Sequence, residues 1–119
     1  MESVGIDILD VERFNDMSEN EDKLCKIFTK NEIRYFNKYS EKLTHIAGCF
    51  CAKEAVAKSL KTGFGKSLSP IDVEILHDEN GAPFVNVEKV KLQKLLNKRK
   101  IEISISHTKS FATAICIIE

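Results

Sequence analysis

The sequence predicts a single domain of the α+β class, in which helices and paired strands occupy separate stretches of the chain. First, 119 residues of which 43% are hydrophobic suffice for one core without metal ions or disulfides. Second, an apolar pattern with helical spacing covers about residues 40–60. Third, alternating apolar residues flank a hairpin-type turn at 78–81. No repeat, low-complexity tract or Pro/Gly-rich linker divides the chain, so we expect one domain over residues 1–119.

The first elements are a strand followed by helical segments. Val4, Ile6 and Ile8 alternate along residues 4–9, which predicts a strand, and Val11 and Phe14 then have helical spacing. The segment from residue 29 to residue 32 matches a capping box, in which a Thr hydroxyl and a Glu carboxylate each satisfy an amide of the first helical turn. A short helix should follow through residue 36.

The longest predicted element is the helix of residues 40–60, which ends at the glycine-containing segment 62–65. Residues 71–75 and 83–85 are predicted as strands around the turn at 78–81. A helix around residues 92–96, a strand over 101–105, a turn at 108–110 and a strand over 111–118 complete the order. The apolar stripe of the long helix consists of Leu43, Ile46, Ala47, Phe50, Ala57 and Leu60.

The cysteines and the chain ends indicate the compartment. The four cysteines lack Cys-x-x-Cys spacing and have apolar neighbours, so we interpret them as reduced core thiols. A zinc site around His45, Cys49 and Cys51 fails on ligand count, and His45 and His77 indicate no role by themselves. The N-terminus lacks the features of a signal peptide, and no apolar run is long enough for a bilayer. We expect a cytoplasmic protein without a membrane partner.

Charge is balanced overall but uneven along the chain. With 18 basic and 18 acidic residues the formal net charge is +0, which argues against a strongly basic nucleic-acid-binding protein. Residues 1–22 carry eight acidic side chains and only Arg13 as a base, whereas residues 89–100 carry six bases and no acid. We interpret the basic segment as a solvated helix face, with RNA binding as the alternative.

Two carboxylates stand where apolar side chains are expected. Glu54 falls on the apolar stripe of the long helix, and Asp7 lies between Ile6 and Ile8 in the first strand. Burying an unpaired charge is costly, so Glu54 must have a cation, a hydrogen-bond network or a raised pKa. Two oxygen ligands on separate elements, without a His or Cys cluster, suit a shared Mg²⁺. The alternatives are an ion pair between Glu54 and Lys58, one turn on, and a capped strand end for Asp7.

Two weaker signals point to phosphate groups. Gly63, Gly65 and Lys66 follow the long helix, so amides and ammonium groups can meet a phosphate there, or the segment is an ordinary helix C-terminus. His107 and Thr108 project from a predicted strand end, where ligand groups are common. The alternative for His107 is a structural histidine, which is the more frequent case for a lone imidazole.

Three motifs, in this order, resemble the holo-acyl carrier protein synthases, the small class of phosphopantetheinyl transferases. The similarity spans the whole chain and implies that family's fold, an antiparallel sheet packed on a long central helix. It also implies Mg²⁺-dependent transfer of 4'-phosphopantetheine from coenzyme A to a serine of apo-acyl carrier protein, for fatty acid biosynthesis. The motifs are Gly5-Ile-Asp7, Phe50-x-x-Lys53-Glu54-Ala55 with Lys58, and Ser104-Ile-Ser-His107-Thr108, with Thr62-Gly63 and Asn80-Gly81-x-Pro83 between them.

The same resemblance implies roles for individual residues. Asp7 and Glu54 correspond to Mg²⁺ ligands at the coenzyme A diphosphate, and Lys58 to a contact that stabilises the leaving phosphate, with general acid as a further role. These three residues form the implied catalytic set, and the family usually forms homotrimers with the active site between subunits. The other positions implied in coenzyme A binding, together with the loop lysine, are Gly63, Gly65, Lys66, Pro83, His107 and Thr108.

The chain departs from the family pattern near the implied site. Cys49 stands where the family commonly has arginine, and either Lys42 or His45 is a replacement for the missing cation by proximity. Leu9 stands where the larger two-repeat transferases carry a second acid, so a water should take that coordination position.

Docking of the acidic carrier protein is implied on the early helix. Arg13, Lys23 and Lys26 supply positive charge there, although acidic side chains surround them. The alternative to a transferase is a non-catalytic nucleotide- or RNA-binding α+β module in which Asp7, Glu54 and Lys58 form a structural network. A Mg²⁺-dependent phosphohydrolase is a third reading. The transferase interpretation involves no nucleic acid as a partner.

Overall fold

The computed structural model describes residues 2–119, and its elements follow the predicted order. Two 3-10 turns, Val11–Phe14 and Pro70–Asp72, join longer elements. The strands are β1 (Ser3–Asp10), β2 (Ile75–His77), β3 (Pro83–Val85), β4 (Ile101–His107) and β5 (Phe111–Ile118). The helices are α1 (Glu21–Leu24), α2 (Lys30–Phe36), α3 (Lys42–Ser59) and α4 (Val90–Leu96).

The strands form a three-stranded sheet and a separate hairpin. β5 is the central strand, with β1 on one side and β4 on the other, and β2 pairs with β3. All of these pairings are antiparallel, and Asp7 lies opposite Ala114, which lies opposite Ile105. One face of the sheet packs on α3, so the predicted α+β class with an antiparallel sheet on a long helix is confirmed.

Helix α3 forms the centre of the core, because residues 46–57 are all buried except Glu54. β1 approaches this helix so closely that only glycine fits at position 5. A Cβ on Gly5 would lie 2.0 Å from the Ala55 carbonyl oxygen and 2.7 Å from the Ser59 amide nitrogen. The glycine of the first motif therefore sets the separation between the strand that carries Asp7 and the helix that carries Glu54.

The β-branched side chains of β1 face away from α3. Val4, Ile6 and Ile8 are 49%, 62% and 68% exposed. The antiparallel register with β5 places Phe111 and Ile115 on the same side of the sheet, where they are 49% and 37% exposed. These five side chains form the outer sheet face, an apolar surface that the described residues leave uncovered.

Several local predictions are confirmed with small shifts in boundaries. α3 covers residues 42–59, and α2 begins with the expected capping box between Thr29 and Glu32. In the hairpin turn, the Asp78 carboxylate accepts hydrogen bonds from the amides of Asn80 and Ala82, both at 2.9 Å. None of the helices within residues 2–119 has the length and apolar character needed to cross a membrane.

Residues 71–75 do not form the predicted strand. Pro70 begins a 3-10 turn, and the Asp72 carboxylate accepts from both the amide and the hydroxyl of Ser69 at 2.9 Å. This local capping outcompetes the alternating apolar pattern, so β2 begins only at Ile75. The segment after β1 is likewise a single 3-10 turn and not a longer helix.

The prediction of four core thiols is wrong for Cys25, which is exposed. It follows the short helix α1, of which only Leu24 is buried, so no packed element covers it. The other three cysteines, Cys49, Cys51 and Cys116, are buried, and all four are free thiols.

Candidate active site

Asp7 lies on the inner face of β1, directed at α3, with both carboxylate oxygens in contact with helix side chains. The Lys58 ammonium is 3.0 Å from Oδ1 and donates a second hydrogen bond of 3.0 Å to the Ile6 carbonyl oxygen. The Cys51 thiol donates to Oδ2 at 3.5 Å. Burial, followed by the charge of Asp7, raises the pKa of Cys51 to about 12, so the thiol stays protonated as a donor.

Glu54 lies one helical turn before Lys58 and is half-buried, with no ion pair to any residue in 2–119. Burial raises the pKa of the Glu54 carboxyl, repulsion from Asp7 adds to this, and Lys58 and Arg13 partly oppose it. The expectation that Glu54 sits in the middle of the apolar stripe is therefore corrected to a place at its margin. The alternative of a Glu54–Lys58 ion pair is also wrong, because Lys58 pairs with Asp7.

The two carboxylates form a donor set that fits a hard divalent cation. Both are oxygen ligands, they come from different elements, and the repulsion between them leaves negative charge for a cation to offset. No group of three or more His, Cys, Asp or Glu side chains within residues 2–119 is arranged to hold a metal ion. A cation held here would therefore need substrate or water oxygens to complete its coordination, which is the usual pattern for Mg²⁺.

The loop after α3 does not offer its glycine amides to a ligand. The Gly63 amide donates to the Ala57 carbonyl at 3.2 Å, and the Gly65 amide donates to the Leu68 carbonyl at 2.8 Å. The Gly63 bond closes the helix end, as in the ordinary C-terminus that was the alternative reading, and the Gly65 bond lies within the loop that follows. The exposed side chains of Lys61 and Lys66 remain as the groups of this loop that can reach an anion.

A second candidate site lies towards the N-terminal end of α3, whereas Glu54 and Lys58 lie towards its C-terminal end. A cavity of about 240 Å³, here called the histidine cavity, is bounded by α2, α3, the hairpin and β4. Pro83 and His107 both line this cavity, whereas Thr108 does not. The Thr108 hydroxyl oxygen instead accepts from the amides of Ser110 and Phe111 and holds the β4–β5 turn. The residues that line the cavity include His45, Cys49, His77, Pro83, Ile105 and His107.

Aromatic rings form one wall of the histidine cavity. His77 stacks on Tyr35 with ring centroids 3.8 Å apart, and His45 stacks on Tyr39 at 3.7 Å. The His107 ring lies 6.0 Å from that of His45. From the sequence alone, His77 had no role and His45 was only a candidate replacement for the arginine missing at Cys49, because their stacking partners lie on other segments of the chain. The only local signal was the spacing of four between His45 and Cys49, which puts them on one helix face.

Of the two candidate replacements for the missing arginine, only His45 lines the cavity beside Cys49. The Lys42 ammonium pairs with Glu19 at 3.6 Å and lies elsewhere on the surface. Cys49 itself is buried and donates to the Glu32 carboxylate at 3.4 Å. Burial raises the pKa of the Cys49 thiol far above its usual value, so this residue supplies no charge.

The three predicted docking residues are all exposed. The Arg13 guanidinium lies over the rings of Phe14 and Phe50, 5.8 Å and 5.3 Å from their centroids. Lys23 and Lys26 lie in and just after α1. Arg13 lies in the 3-10 turn that directly follows β1.

A buried ion pair escaped the sequence analysis. Lys53, beside Glu54 in the helix motif, is fully buried, and its ammonium lies 2.8 Å from Glu32. The helical pattern gave no sign that Lys53 is buried in an ion pair, because its partners lie on α2 and in the turn before β2. The only available signal was the capping-box role of Glu32, which requires a partly fixed carboxylate.

Comparisons with known proteins show the superfamily to which this chain belongs and the relatives to which it is similar. A family model described as the 4'-phosphopantetheinyl transferase superfamily matches residues 3–116. The holo-[acyl-carrier-protein] synthase of Thermoanaerobacter pseudethanolicus is 46% identical over 118 residues, which cover 96% of this chain and 84% of the relative. That of Protochlamydia amoebophila is 42% identical over 116 residues, with 96% and 94% covered.

Solved structures agree with this class. The holo-[acyl-carrier-protein] synthase of Neisseria meningitidis superposes with a TM-score of 0.88 at 25% identity, covering 100% of this chain and 98% of that one. The Helicobacter pylori enzyme in complex with coenzyme A gives 0.83 at 31% identity, with 98% and 99% covered. The chain therefore belongs to the holo-[acyl-carrier-protein] synthase family of that superfamily, which confirms the resemblance found in the sequence.

Proposed function

We propose that this chain transfers the 4'-phosphopantetheine group of coenzyme A to a serine of apo-acyl carrier protein, for fatty acid biosynthesis in the cytoplasm. The products are holo-acyl carrier protein and adenosine 3',5'-bisphosphate. The observation that supports this most directly is the cluster of Asp7, Glu54 and Lys58, two carboxylates and one ammonium at the meeting of β1 and α3. In addition, the Helicobacter pylori enzyme, which is 31% identical to this chain, was solved in complex with coenzyme A. The whole chain, residues 1–119, is proposed to act as one transferase domain.

Asp7 and Glu54 are proposed to hold Mg²⁺ at the diphosphate of coenzyme A. When bound, the cation neutralises phosphate charge and polarises the phosphorus centre under attack. The chain supplies rigid positioning: Gly5 fixes the approach of β1 to α3, and the Cys51 thiol and Lys58 ammonium fix the Asp7 carboxylate. Fixed groups need no reorganisation during the reaction, which is how such sites lower a barrier.

Lys58 is proposed to contact the phosphate of the leaving group. Its side chain is 51% exposed, so the ammonium can reach a ligand while it keeps its bond to the Ile6 carbonyl. In the reaction the serine hydroxyl loses its proton to solvent as its oxygen forms a bond to phosphorus, and the bond from phosphorus to the departing bisphosphate oxygen breaks. The ammonium stabilises negative charge on that oxygen and is placed to donate a proton to it.

The nucleotide part of coenzyme A is proposed to extend from this cluster towards the histidine cavity. Pro83 and His107 bound that cavity, while Thr108 shapes the adjacent turn. At the other end of α3, the loop with Gly63, Gly65 and Lys66 closes the helix and presents an ammonium group. Gly63 and Gly65 contribute only to the shape of this loop, because their amides already donate hydrogen bonds to carbonyl oxygens.

Two protein partners complete the proposal. Acidic carrier protein is proposed to dock on Arg13, which directly follows β1, and on Lys23 and Lys26 in and after α1. The outer sheet face is proposed to be covered by other copies of the chain in a homotrimer. This assignment rests on its exposed apolar side chains, of which Ile6 and Ile8 are more than half exposed.

The experiment that tests the function is intact-mass analysis of apo-acyl carrier protein after incubation with coenzyme A, Mg²⁺ and this protein. The expected result is a mass gain of one phosphopantetheine group, lost with EDTA and with Glu54→Gln. Glu54→Gln should keep its fold, because it removes a charge that has no ion-pair partner within residues 2–119. A folded wild-type protein that modifies no carrier protein contradicts the proposal and favours a non-catalytic binding module.

A further inference from the structure

The histidine cavity contains all three histidines of the chain, and no lysine or arginine within residues 2–119 lines it. His45 projects from α3, His77 from β2 and His107 from β4. A phosphate placed there therefore meets no permanent cation from the cavity wall. Transfer of a phosphate from water without a compensating positive charge is unfavourable, so the wall must gain charge or the site must reject the anion.

We propose that phosphate binding in the histidine cavity is linked to proton uptake by His45, which thereby supplies the cation that no lysine or arginine provides. The inference rests on the proposed function, because it takes the 3'-phosphate of coenzyme A as the anion. The cavity is bounded by Pro83 and His107, the two positions at which the proposed function places the nucleotide part of coenzyme A.

The surroundings of His45 favour a neutral ring before the ligand binds. The His45 ring is half-buried: it stacks on Tyr39, and the His107 ring lies 6.0 Å away. Burial lowers the pKa of His45, and the second imidazole lowers it further because two adjacent imidazolium ions repel each other. A dianionic phosphate between the rings reverses this balance, because opposite charge favours the protonated form.

The other groups that face His45 do not compete for this role. Tyr35 of α2 and Tyr39, three residues beyond the end of α2, face it, and burial raises the pKa of Tyr35 well above its usual value, so the Tyr35 hydroxyl stays neutral. From its own helix the neutral thiol of Cys49 lies on the same wall.

His77 is less suited than His45 to take up the proton. Burial lowers the pKa of His77, and its flat stacking on Tyr35 keeps Nδ1 buried without a hydrogen-bond partner. The charges that act on it from outside the cavity are those of Asp78, which favours protonation, and Lys38, which opposes it. Lys38 lies over the Tyr35 ring at 5.8 Å and lines the neighbouring groove, so it does not reach the anion through the wall.

The sign of the pH effect follows from this linkage. Binding raises the pKa of His45, so affinity for coenzyme A should fall as the pH rises between the pKa of the free protein and that of the complex. One linked proton changes the dissociation constant by at most about tenfold per pH unit. The phosphate itself gains a proton near pH ~6, so the effect is best measured between about pH 6.5 and 8.5.

The test is isothermal titration calorimetry of the full chain with coenzyme A and with dephospho-coenzyme A, which lacks the 3'-phosphate. Measurement in buffers of different ionisation enthalpy gives the number of protons taken up. We expect uptake with coenzyme A, little uptake with dephospho-coenzyme A, and loss of the difference in His45→Gln. His45→Arg should bind coenzyme A with a nearly pH-independent affinity, because its cation does not titrate.

Lys42→Gln is the matched control, because it removes a charge from the same helix but outside the cavity. It should leave proton uptake unchanged. Equal uptake with both ligands, or unchanged uptake in a folded His45→Gln variant, overturns the inference while leaving the proposed function intact. A folded wild-type protein that binds neither ligand overturns the proposed function as well.

Discussion

Lys53 and Glu32 form an ion pair that is shut off from solvent, with the ammonium 2.8 Å from the carboxylate and both side chains 0% exposed. The same ammonium donates to the carbonyl oxygens of Pro70 at 2.8 Å and Val73 at 2.7 Å. The other carboxylate oxygen accepts from the Ile75 amide at 2.7 Å. The pair therefore joins α2, α3 and the start of the hairpin that carries one wall of the histidine cavity.

Removing one member of this pair should be strongly destabilising. Lys53→Ala leaves a buried carboxylate and two carbonyl groups without their donor, so the free energy of unfolding should fall by about 3–5 kcal/mol. Urea denaturation measures the change. The control is Lys42→Ala, which breaks an exposed pair with Glu19 and should cost no more than about 1 kcal/mol. Equal effects of the two substitutions would show that the buried network contributes little.

Gly5→Ala should lower stability and displace Asp7 from α3. The added Cβ would lie 2.0 Å from the Ala55 carbonyl oxygen, which is backbone and cannot move aside without separating strand from helix. We expect a loss of about 3 kcal/mol or more in chemical denaturation. Gly65→Ala is the matched control, because no atom outside its neighbours lies within 4 Å of its Cβ position. A Gly5→Ala protein as stable as the Gly65→Ala protein contradicts the tight packing of β1 on α3.

The sequence was most informative where local pattern and tertiary packing agree. The capping box of α2, the length of α3 and the turn at Asp78 all depend on neighbours in sequence, and all three are confirmed. It failed at residues 71–75, where the alternation suggested a strand but the Ser69–Asp72 cap formed a turn. Periodicity reports which side chains avoid water, and it cannot register a local hydrogen bond that competes with a ladder.

The sequence predicted only those site residues that stand out within their own segment of the chain. Asp7 and Glu54 are anomalous in their own segments, so a single sequence shows them. His45 and His77 are ordinary residues in theirs, and they gain meaning only when α2 and β4 bring other rings beside them. The ion pair of Asp7 with Lys58, in place of Glu54 with Lys58, likewise depends on how β1 crosses α3 and is invisible to helical spacing.

The stability of the ligand-free protein should fall on mild acidification. Burial lowers the pKa of His77, so the unfolded chain binds a proton more readily and stability is lost as the pH falls below about 6.5. His77→Phe keeps a ring against Tyr35 and should reduce this slope between about pH 5 and 6.5, with His45 responsible for the remainder. Thermal unfolding across this range checks the prediction.

The Glu74 carboxylate provides an internal control for the thermal unfolding experiment. Burial acts to raise the pKa of Glu74, but hydrogen bonds from Thr29, Asn86 and Asn31 outweigh it and lower the pKa. Its contribution is therefore lost only below about pH 4.5, in both the wild type and His77→Phe. A slope above pH 5 that is identical in the two proteins would mean that His77 is not the group responsible.

Ile6→Lys should reduce the size of the assembly in solution. The substitution places a charge on the outer sheet face at a side chain that is 62% exposed in the single chain, so it should not disturb the core. If copies of the chain cover this face, the buried charge should dissociate them, which light scattering after gel filtration detects. Val90→Lys, at a residue 65% exposed on α4, is the control and should leave the mass unchanged. A monomeric wild type contradicts the proposed homotrimer directly.

Carrier-protein docking should depend on Arg13, which directly follows β1, and on Lys26, which follows α1. The double substitution Arg13→Ala with Lys26→Ala should raise the KM for acyl carrier protein roughly 2- to 30-fold, taking about 0.2–1 kcal/mol for each exposed charge. The KM for coenzyme A should stay unchanged, and the salt dependence of turnover should become shallower. Lys94→Ala with Lys98→Ala removes the same charge from the basic 89–100 segment and serves as the control. If the control raises the KM and the first pair does not, the carrier protein docks on that basic segment, and the placement on the early helix is wrong.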